Sequence, residues 1–372
     1  MITTKNNEHK KLNVPNLRFP EFQGEWEKKK LEECVEFLDG LRKPIKSEDR
    51  KSKQGLYPYY GASGIIDYID GYIFDGEYIL LSEDGANIID RKYRVAFVAK
   101  GKIWVNNHAH VLQPYDGFDL NFLSETLERL NYAVYNTGTT MPKLNQEVCR
   151  NINLKIPTTI EQNKIGNLLS LLNERIATQN KIIEDLKKLK SAISENLFKK
   201  VKGDVVMLSE ICEISKGKQI NGEFLSEKGK YYVMNGGTEP SGYYNNYNVE
   251  ANTISISEGG NSCGYVQFNT SPFWSGGHCY TIQEIADNVD NLYLYHFLKS
   301  KEDAIMKLRI GSGLPNIQKK DLAMFKIKIP TVEQQKAIST FLSSLERKAE
   351  IEERIQSAMQ KEKQYLLRQM FI

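Results

Sequence analysis

The segment Ile156–Ile165 reads IPTTIEQNKI, and Ile329–Ile338 reads IPTVEQQKAI, a near copy about 173 residues further on. In a chain of 372 residues, a repeat of that period means that whatever the first half folds into, the second half folds into again. The correspondence keeps its order along both halves. Tyr135–Pro157 (YNTGTTMPKLNQEVCRNINLKIP) matches Leu308–Pro330 (LRIGSGLPNIQKKDLAMFKIKIP), which sets Gly138 against Gly311, Pro142 against Pro315 and Leu144 against Ile317. Leu80–Asn87 (LLSEDGAN) parallels Ser255–Ser262 (SISEGGNS), Asn106–Pro114 parallels Gly276–Glu284, and Lys29–Gly40 parallels Val206–Gly217. The order is A–B–A′–B′, in which A spans roughly 130 residues and B follows each Ile-Pro-Thr.

Each B segment reads as one long helix. Thr158 or Thr159 can cap the first, with Glu161 and Gln162 in its opening turn, where acidic side chains suit exposed backbone N–H groups. Apolar residues recur at Ile165, Leu169, Leu172, Ile176, Ile183, Leu186, Ile193 and Leu197, the rhythm of a helix laying a seam on another helix. Thr178, Gln179 and Asn180 interrupt that seam. The second copy follows with Ile338, Leu342, Leu345, Ala349, Ile355, Met359, Leu366 and Met370. Such a helix, about 60 Å long for some 40 residues, cannot bury its stripe alone, and the obvious mate is the other copy. Two antiparallel helices forming a coiled coil are expected, with a pseudo-twofold axis and an A unit at either end.

The A units carry different signals. YIFDGEYILLSEDG and NVEANTISISEGG alternate or run apolar between Gly and Asn turns, as strands do. RVAFVAKGKIWVNN reads as a strand–turn–strand hairpin, while DLNFLSETLERLNYAVY and NLYLYHFLKSKEDAIMKL have helical spacing. Each A is expected to be a mixed α/β (α+β) globular domain. The expected boundaries are a lead-in over 1–25, a first domain over 26–157, a first helix over 158–204, a second domain over 205–330 and a second helix over 331–372.

Fifty Lys plus Arg against 47 Asp plus Glu leave a net charge of only +3, so any nucleic-acid surface has to come from local clustering. Such clusters fall at matching places. GLRKPIKSEDRKSK groups Arg42, Lys43, Lys46, Arg50, Lys51 and Lys53, followed by Tyr57, Tyr59, Tyr60 and Ser63. The second half offers Lys216, Lys218, Gln219 and Asn221, then Asn235, Thr238, Tyr243, Tyr244, Asn245 and Asn246. Basic groups neutralise phosphates, Asn and Gln are natural readers of adenine, and Arg and Lys of guanine. Asn87, Arg91, Asn107, His108, Thr139 and Lys143 in the first half, and Asn261, His278, Ser312 and Asn316 in the second, share the repeated loops and join the DNA-facing candidates. GTT and GSG can each present a hydroxyl and backbone N–H groups to a phosphate.

Other classes find little support. His108 and His110 would share one face of a strand, but the second half keeps only His278, followed by Cys279, and no carboxylate cluster accompanies either, so no metal is expected. The five cysteines include no C-x-x-C pair, which argues against a structural zinc or a disulfide framework. No Gly-Lys pair is followed by Ser or Thr, so there is no P-loop, and no Pro-Pro dipeptide occurs, which removes the catalytic loop of adenine methyltransferases. The polar N-terminus and the lack of a long apolar run predict a cytoplasmic chain with no membrane partner.

The residues VPNLRFPEFQGEWEKKKLEE, GTTMPKLNQEVCRNINLKIPTTIEQNKIG and GSGLPNIQKKDLAMFKIKIPTVEQQKAIS resemble the specificity subunit of type I restriction–modification systems, over nearly the whole chain after the first dozen residues. The resemblance implies that each A unit recognises one half of a split double-stranded DNA target. It also implies that the two helices are spacers on which two modification subunits dock, here through Gln162, Ile165, Leu169, Leu172, Ile176, Gln334, Ile338, Leu342 and Leu345. No cofactor is expected on this chain: S-adenosylmethionine, ATP and Mg²⁺ would belong to modification and restriction/translocase partners. Half-site centres one helical turn apart, about 34 Å, are expected. The rivals are a coiled-coil adaptor with two protein- or glycan-binding domains, and a self-sufficient methyltransferase or nuclease.

Overall fold

The computed structural model describes residues 13–311, 313 and 315–372, and its contacts divide into two compact units. Unit 1 comprises Met1–Gln179 with Ile355–Ile372, and unit 2 comprises Asn180–Arg354. Both boundaries fall inside long helices, and the first falls in the polar break of the apolar seam, between Gln179 and Asn180.

Unit 1 contains β1 (Glu27–Lys30), β2 (Val35–Phe37), α1 (Ser47–Lys51), β3 (Gln54–Gly61), β4 (Gly64–Ile69), β5 (Phe74–Ser82), α2 (Asn87–Asp90), β6 (Ala96–Val105), β7 (Ala109–Pro114), α3 (Leu120–Glu128), α4 (Gln146–Arg150) and β8 (Asn153–Ile156). A six-stranded sheet runs β2-β7-β5-β6-β3-β4, and β1 pairs separately with β8. The long helix α5 (Thr159–Lys200) leads on to unit 2. There follow β9 (Asp204–Met207), α6 (Leu208–Ile211), β10 (Glu213–Lys216), β11 (Tyr231–Met234), β12 (Gly242–Tyr244), β13 (Thr253–Ser257), β14 (Val266–Asn269), β15 (Trp274–Ser275), β16 (Cys279–Gln283), α7 (Asn291–Ser300), α8 (Glu302–Met306), α9 (Lys319–Ala323), β17 (Lys326–Ile329) and α10 (Val332–Gln369).

The pairing repeats with one difference. Unit 2 has the order β10-β16-β13-β14, equivalent to β2-β7-β5-β6, with β12-β11-β15 as a separate sheet equivalent to β4-β3 on the end of β6. In unit 1 the long β6 joins the two sheets; in unit 2 Pro272, which lacks a donor N–H, lies in the gap between β14 and β15. The hairpin expected over Arg94–Asn107 is instead this single strand. Its register with β5 is unbroken from Leu81↔Ala96 to Phe74↔Ile103. Gly76 and Gly101 face each other at φ +156° and +80°, so the chain passes the would-be turn without leaving the ladder.

The repeated Ile-Pro-Thr segment docks each long helix on its own domain. Thr158 Oγ1 accepts from the Glu161 N–H, and Thr331 Oγ1 from the Gln334 N–H, both at 3.4 Å. One helical turn in, the buried Gln162 donates to Pro157 O at 3.0 Å and accepts from the Asp119 N–H at 3.1 Å. Gln335 repeats this with Pro330 O at 2.9 Å and the Asp290 N–H at 2.7 Å. Asp119 and Asp290 in turn cap α3 and α7. The repeated Ile-Pro-Thr, with a Gln four residues after each Thr, thus encodes a joint between a long helix and a short one.

Each core is completed by the end of the other long helix. In unit 1, Ile165 and Leu169 of α5 pack with Leu366, Leu367, Met370 and Phe371. Phe371 stacks on Phe122 at 5.4 Å. In unit 2, Ile338 and Leu342 of α10 pack with Ile193, Leu197 and Phe198, and Phe198 meets Tyr293 at 5.7 Å. Lys187–Glu353 and Lys190–Glu346, both 2.6 Å, show the two helices running antiparallel within unit 2.

Candidate nucleic-acid interface

The repeated loops meet because one carboxylate in each unit holds them. In unit 1, Glu83 follows β5. Its backbone N–H donates to His108 O at 2.9 Å, and its carbonyl accepts from the Leu144 N–H at 2.7 Å. Glu258, after β13, makes the same bonds with His278 O at 2.9 Å and the Ile317 N–H at 2.8 Å. Gly85 N–H to Pro142 O and Gly260 N–H to Pro315 O, both 3.0 Å, add a second tie. The Ser-Glu-x-Gly repeat therefore fastens the GTTMPKL loop, and in the second unit Pro315 and Ile317, to the strand end that carries His108 or His278.

The Glu83 side chain then takes Arg42 at 2.7 Å and Lys143 at 3.5 Å, as Glu258 takes Lys216 at 2.6 Å. Beneath it lies one further polar residue of the adjoining strand. His110 contacts Asp39 Oδ2 at 2.6 Å and Leu144 O at 2.8 Å; Tyr280 replaces it, its hydroxyl 3.1 Å from both Glu258 Oε1 and Ile317 O, which share its one hydrogen. Both ring nitrogens of His110 face oxygen acceptors, and only the imidazolium can donate from both. Burial is the largest single influence and opposes that charge, but the bonds and charges of Asp39 and Cys149 together outweigh it and hold the His110 pKa up at about 10. A second anchor sits at the basic loop: Trp104 Nε1 donates to Lys43 O at 2.6 Å, and Trp274 Nε1 to Lys218 O at 2.9 Å. Finally, Ser82 Oγ donates to Ala62 O and Ser257 Oγ to Gly236 O, bringing the β3–β4 and β11–β12 turns to the same edge.

On this frame Lys43, Lys46, Ser63, Asn107, His108, Thr139 and Lys143 are exposed in unit 1, with Asn87 half-buried. Lys216, Lys218, Gln219, Thr238, Tyr243, Asn245, Asn261, His278 and Asn316 are exposed in unit 2, with Asn235 half-buried. Ser312 lies outside the described residues. Several expectations are corrected. Arg42 is neutralised by Glu83 and donates to Ala109 O at 2.8 Å, so its guanidinium holds the loop together. Arg50 is turned to Asp67 at 3.1 Å, and Arg91 is paired with Glu128 at 3.0 Å, away from the frame. Tyr59 is 1% exposed, because β3 alternates and its hydroxyl is spent on the Ile45 N–H at 2.9 Å. Tyr60 is half-buried beside Phe97.

His108 and His110 do not share a face. His108 precedes β7 and contacts Asp84 at 2.9 Å in the open, while His110 points into the core. Cys279 is buried, and burial pushes its thiol up to about 11. Among the described residues no group of three or more His, Cys, Asp or Glu could hold a metal ion, and no helix is long and apolar enough to cross a membrane.

The helix positions offered for partner docking divide similarly. Gln162, Ile165, Leu169 and Leu342 are buried in the joints and cores just described, so they present no surface. Leu172, Ile176, Ile338 and Leu345 are half-buried, and Gln334 is exposed. The apolar side chains most open on the helices are Ile160, Leu171, Leu189 and Tyr365. The carboxylates, the two Trp donors and Asp39 were missed in the sequence, although the preserved Glu of SEDG and SEGG was a visible signal.

A duplicated α/β domain with a doubled loop frame and two long helices defines a two-headed recognition protein. The family model described as the type I restriction modification DNA specificity domain matches residues 23–188 and again 200–361, and the chain belongs to that family. A type I restriction enzyme specificity subunit of Haemophilus influenzae is 27% identical over 345 residues, 87% of each chain. The MjaVIII specificity subunit of Methanocaldococcus jannaschii is 24% identical, over 94% of this chain and 92% of that one. The crystal structure of a type I system S subunit from M. genitalium shares the fold, with a TM-score of 0.77 at 19% identity, covering 96% of this chain and 99% of that one.

Proposed function

We propose that each unit reads one half of a bipartite, asymmetric DNA target on behalf of a type I restriction–modification complex. The observation that carries this is the same bonded loop frame occurring twice with different side chains on it. Lys43, Lys46, His108 and Lys143 occupy one frame; Lys218, Gln219, Asn235 and His278 occupy the other. Lysines suit phosphates and set register, while amides and hydroxyls read base edges, so unlike side chains on like frames read unlike half-sites. The long helices set the gap between half-sites, and their remaining open apolar positions dock two modification subunits. The chain itself carries no reaction. S-adenosylmethionine, ATP and Mg²⁺ act on the modification and restriction/translocase subunits, in the cytoplasm.

The test is to sequence methylated adenines in a host that carries this chain and its modification partner. Two short blocks separated by a fixed gap are expected, and a seven-residue insertion in a long helix should change that gap. Methylation by the purified chain alone, or duplex binding indifferent to salt, would overturn the reading.

A further inference from the structure

Ile65 and Ile66 are 45% and 53% exposed at the start of β4, the free edge of the six-stranded sheet. Adjacent residues of a regular strand point to opposite faces, so both being open on a sheet needs a cause. The cause is a bulge: Tyr59 pairs with Asp67 and Tyr60 with Ile65, leaving Ile66 as the extra residue. Bulges re-aim side chains, and open aliphatics on an edge strand invite aggregation, so such a feature is kept where it has a use. Its place shows the use. The turn that precedes Ile65 is tied to Ser82, at the head of the Glu83 loop, and Gly61 lies between the Ile66 side chain and the Asn106 amide. The pair therefore borders the frame that carries the exposed Lys43, His108 and Lys143.

Unit 2 differs here. Its β11–β12 register is regular, Tyr243 takes the place of Ile65, and Tyr244 is turned in against Trp274 at 5.2 Å. The aliphatic pair thus belongs to what distinguishes the two heads rather than to their shared scaffold. A two-stranded ribbon fits the major groove, where the one apolar group on a base edge is the thymine methyl. Resting on the DNA-reading function proposed above, we infer that Ile65 and Ile66 are specificity-determining residues that contact a thymine 5-methyl group in the half-site of unit 1.

The experiment uses the full chain in complex with its modification subunits, on duplexes carrying its mapped target. Thymines of both half-sites are replaced one at a time by deoxyuridine, which lacks only the methyl. In one half-site, one or two replacements should weaken wild-type binding about fourfold each, the worth of one methyl group withdrawn from water. The Ile65→Ala/Ile66→Ala complex should bind the thymine duplex correspondingly less tightly and ignore those replacements, while Ile65→Val/Ile66→Val still responds to them. No loss at any thymine, a loss that persists in the alanine variant, or a half-site without an A·T pair overturns the inference. So does concentration-dependent self-association abolished by the alanine variant without any methyl response, which would mark the edge as a copy-to-copy contact. If A·T to G·C exchanges throughout one half-site also leave binding unchanged, then unit 1 reads no bases and the broader function fails with it; responses to those exchanges without a methyl response sink the isoleucine contact alone.

Discussion

His110 and His296 are both buried histidines, but their surroundings set them on opposite sides of the ordinary value. His296, on α7 at the place Glu125 holds on α3, contacts Ser343 at 2.9 Å, and burial lowers its pKa to about 4. Its neutral form contributes stability above pH 6.5, which is lost as pH falls from about 6.5 towards about 4, because the unfolded chain takes up a proton that the native state refuses. For His110 the sign reverses. With a folded value of about 10 against 6.5, its contribution is full below pH 6.5 and disappears as pH rises towards about 10. Hydrogen exchange, read separately in the two units, should show unit 2 loosening in mild acid and unit 1 in mild alkali. His296→Phe should flatten the acid limb of unit 2 alone. Identical pH profiles in both units would contradict this assignment.

At the scale of elements, the joints between long and short helices are the testable parts. Gln162→Ala removes the acceptor of the Asp119 N–H and a donor to Pro157 O, and should cost about 1–3 kcal/mol in unit 1. Gln335→Ala should cost the same in unit 2. The two share no partner, so denaturant titration of the double variant should give additive losses. Gly166 lies in α5 where an added Cβ would collide with the Asp119 carboxylate, whereas Ser339, its counterpart on α10, already carries a side chain. Gly→Ala within a helix ordinarily stabilises by about 0.4–1 kcal/mol; Gly166→Ala should destabilise instead, and a higher melting temperature would refute the joint geometry.

For the molecule as a whole, the consequential feature is that unit 1 is assembled from two distant stretches of chain, Met1–Gln179 and Ile355–Ile372. Phe371, the penultimate residue, lies between Trp26, Phe122 and the Arg129 guanidinium. Phe371→Ala should cost unit 1 about 3–5 kcal/mol, although the change lies 192 residues (371 − 179) beyond the end of its N-terminal segment. Phe198→Ala should weaken unit 2 in the same way. Proteolysis or exchange localised to the opposite unit in either variant would disprove the assignment. The charge pattern follows the same exchange. Lys363 reaches Glu125 of α3 at 3.3 Å, while its repeat equivalent Lys190 reaches Glu346 of α10, so the acid has moved from the short helix to the long one.

The duplication, the entry points of α5 and α10 and the correspondence of loops were all legible in the residues alone, because caps, periodicity and turn chemistry act over a few neighbours. The sequence likewise pointed to Lys43 and Lys218 as loop residues, but it set His108 on one face of a strand with His110. It could not show that Arg42 and Arg50 were already neutralised, that Tyr59 faced inward, that Arg94–Asn107 ran straight through Gly101, or that Ile66 was bulged. The two arginines depend on partners 17 to 67 positions away, Asp67, Glu83 and Ala109, and the others on how strands pair and pack. Nor could it show that Phe371 closes the first core, since a helical stripe states that something apolar must cover it and is silent on what. Local chemistry determined the parts and their order; contacts between distant residues, which compete for the same buried space and the same charges, decided which side chains were left exposed on the loops.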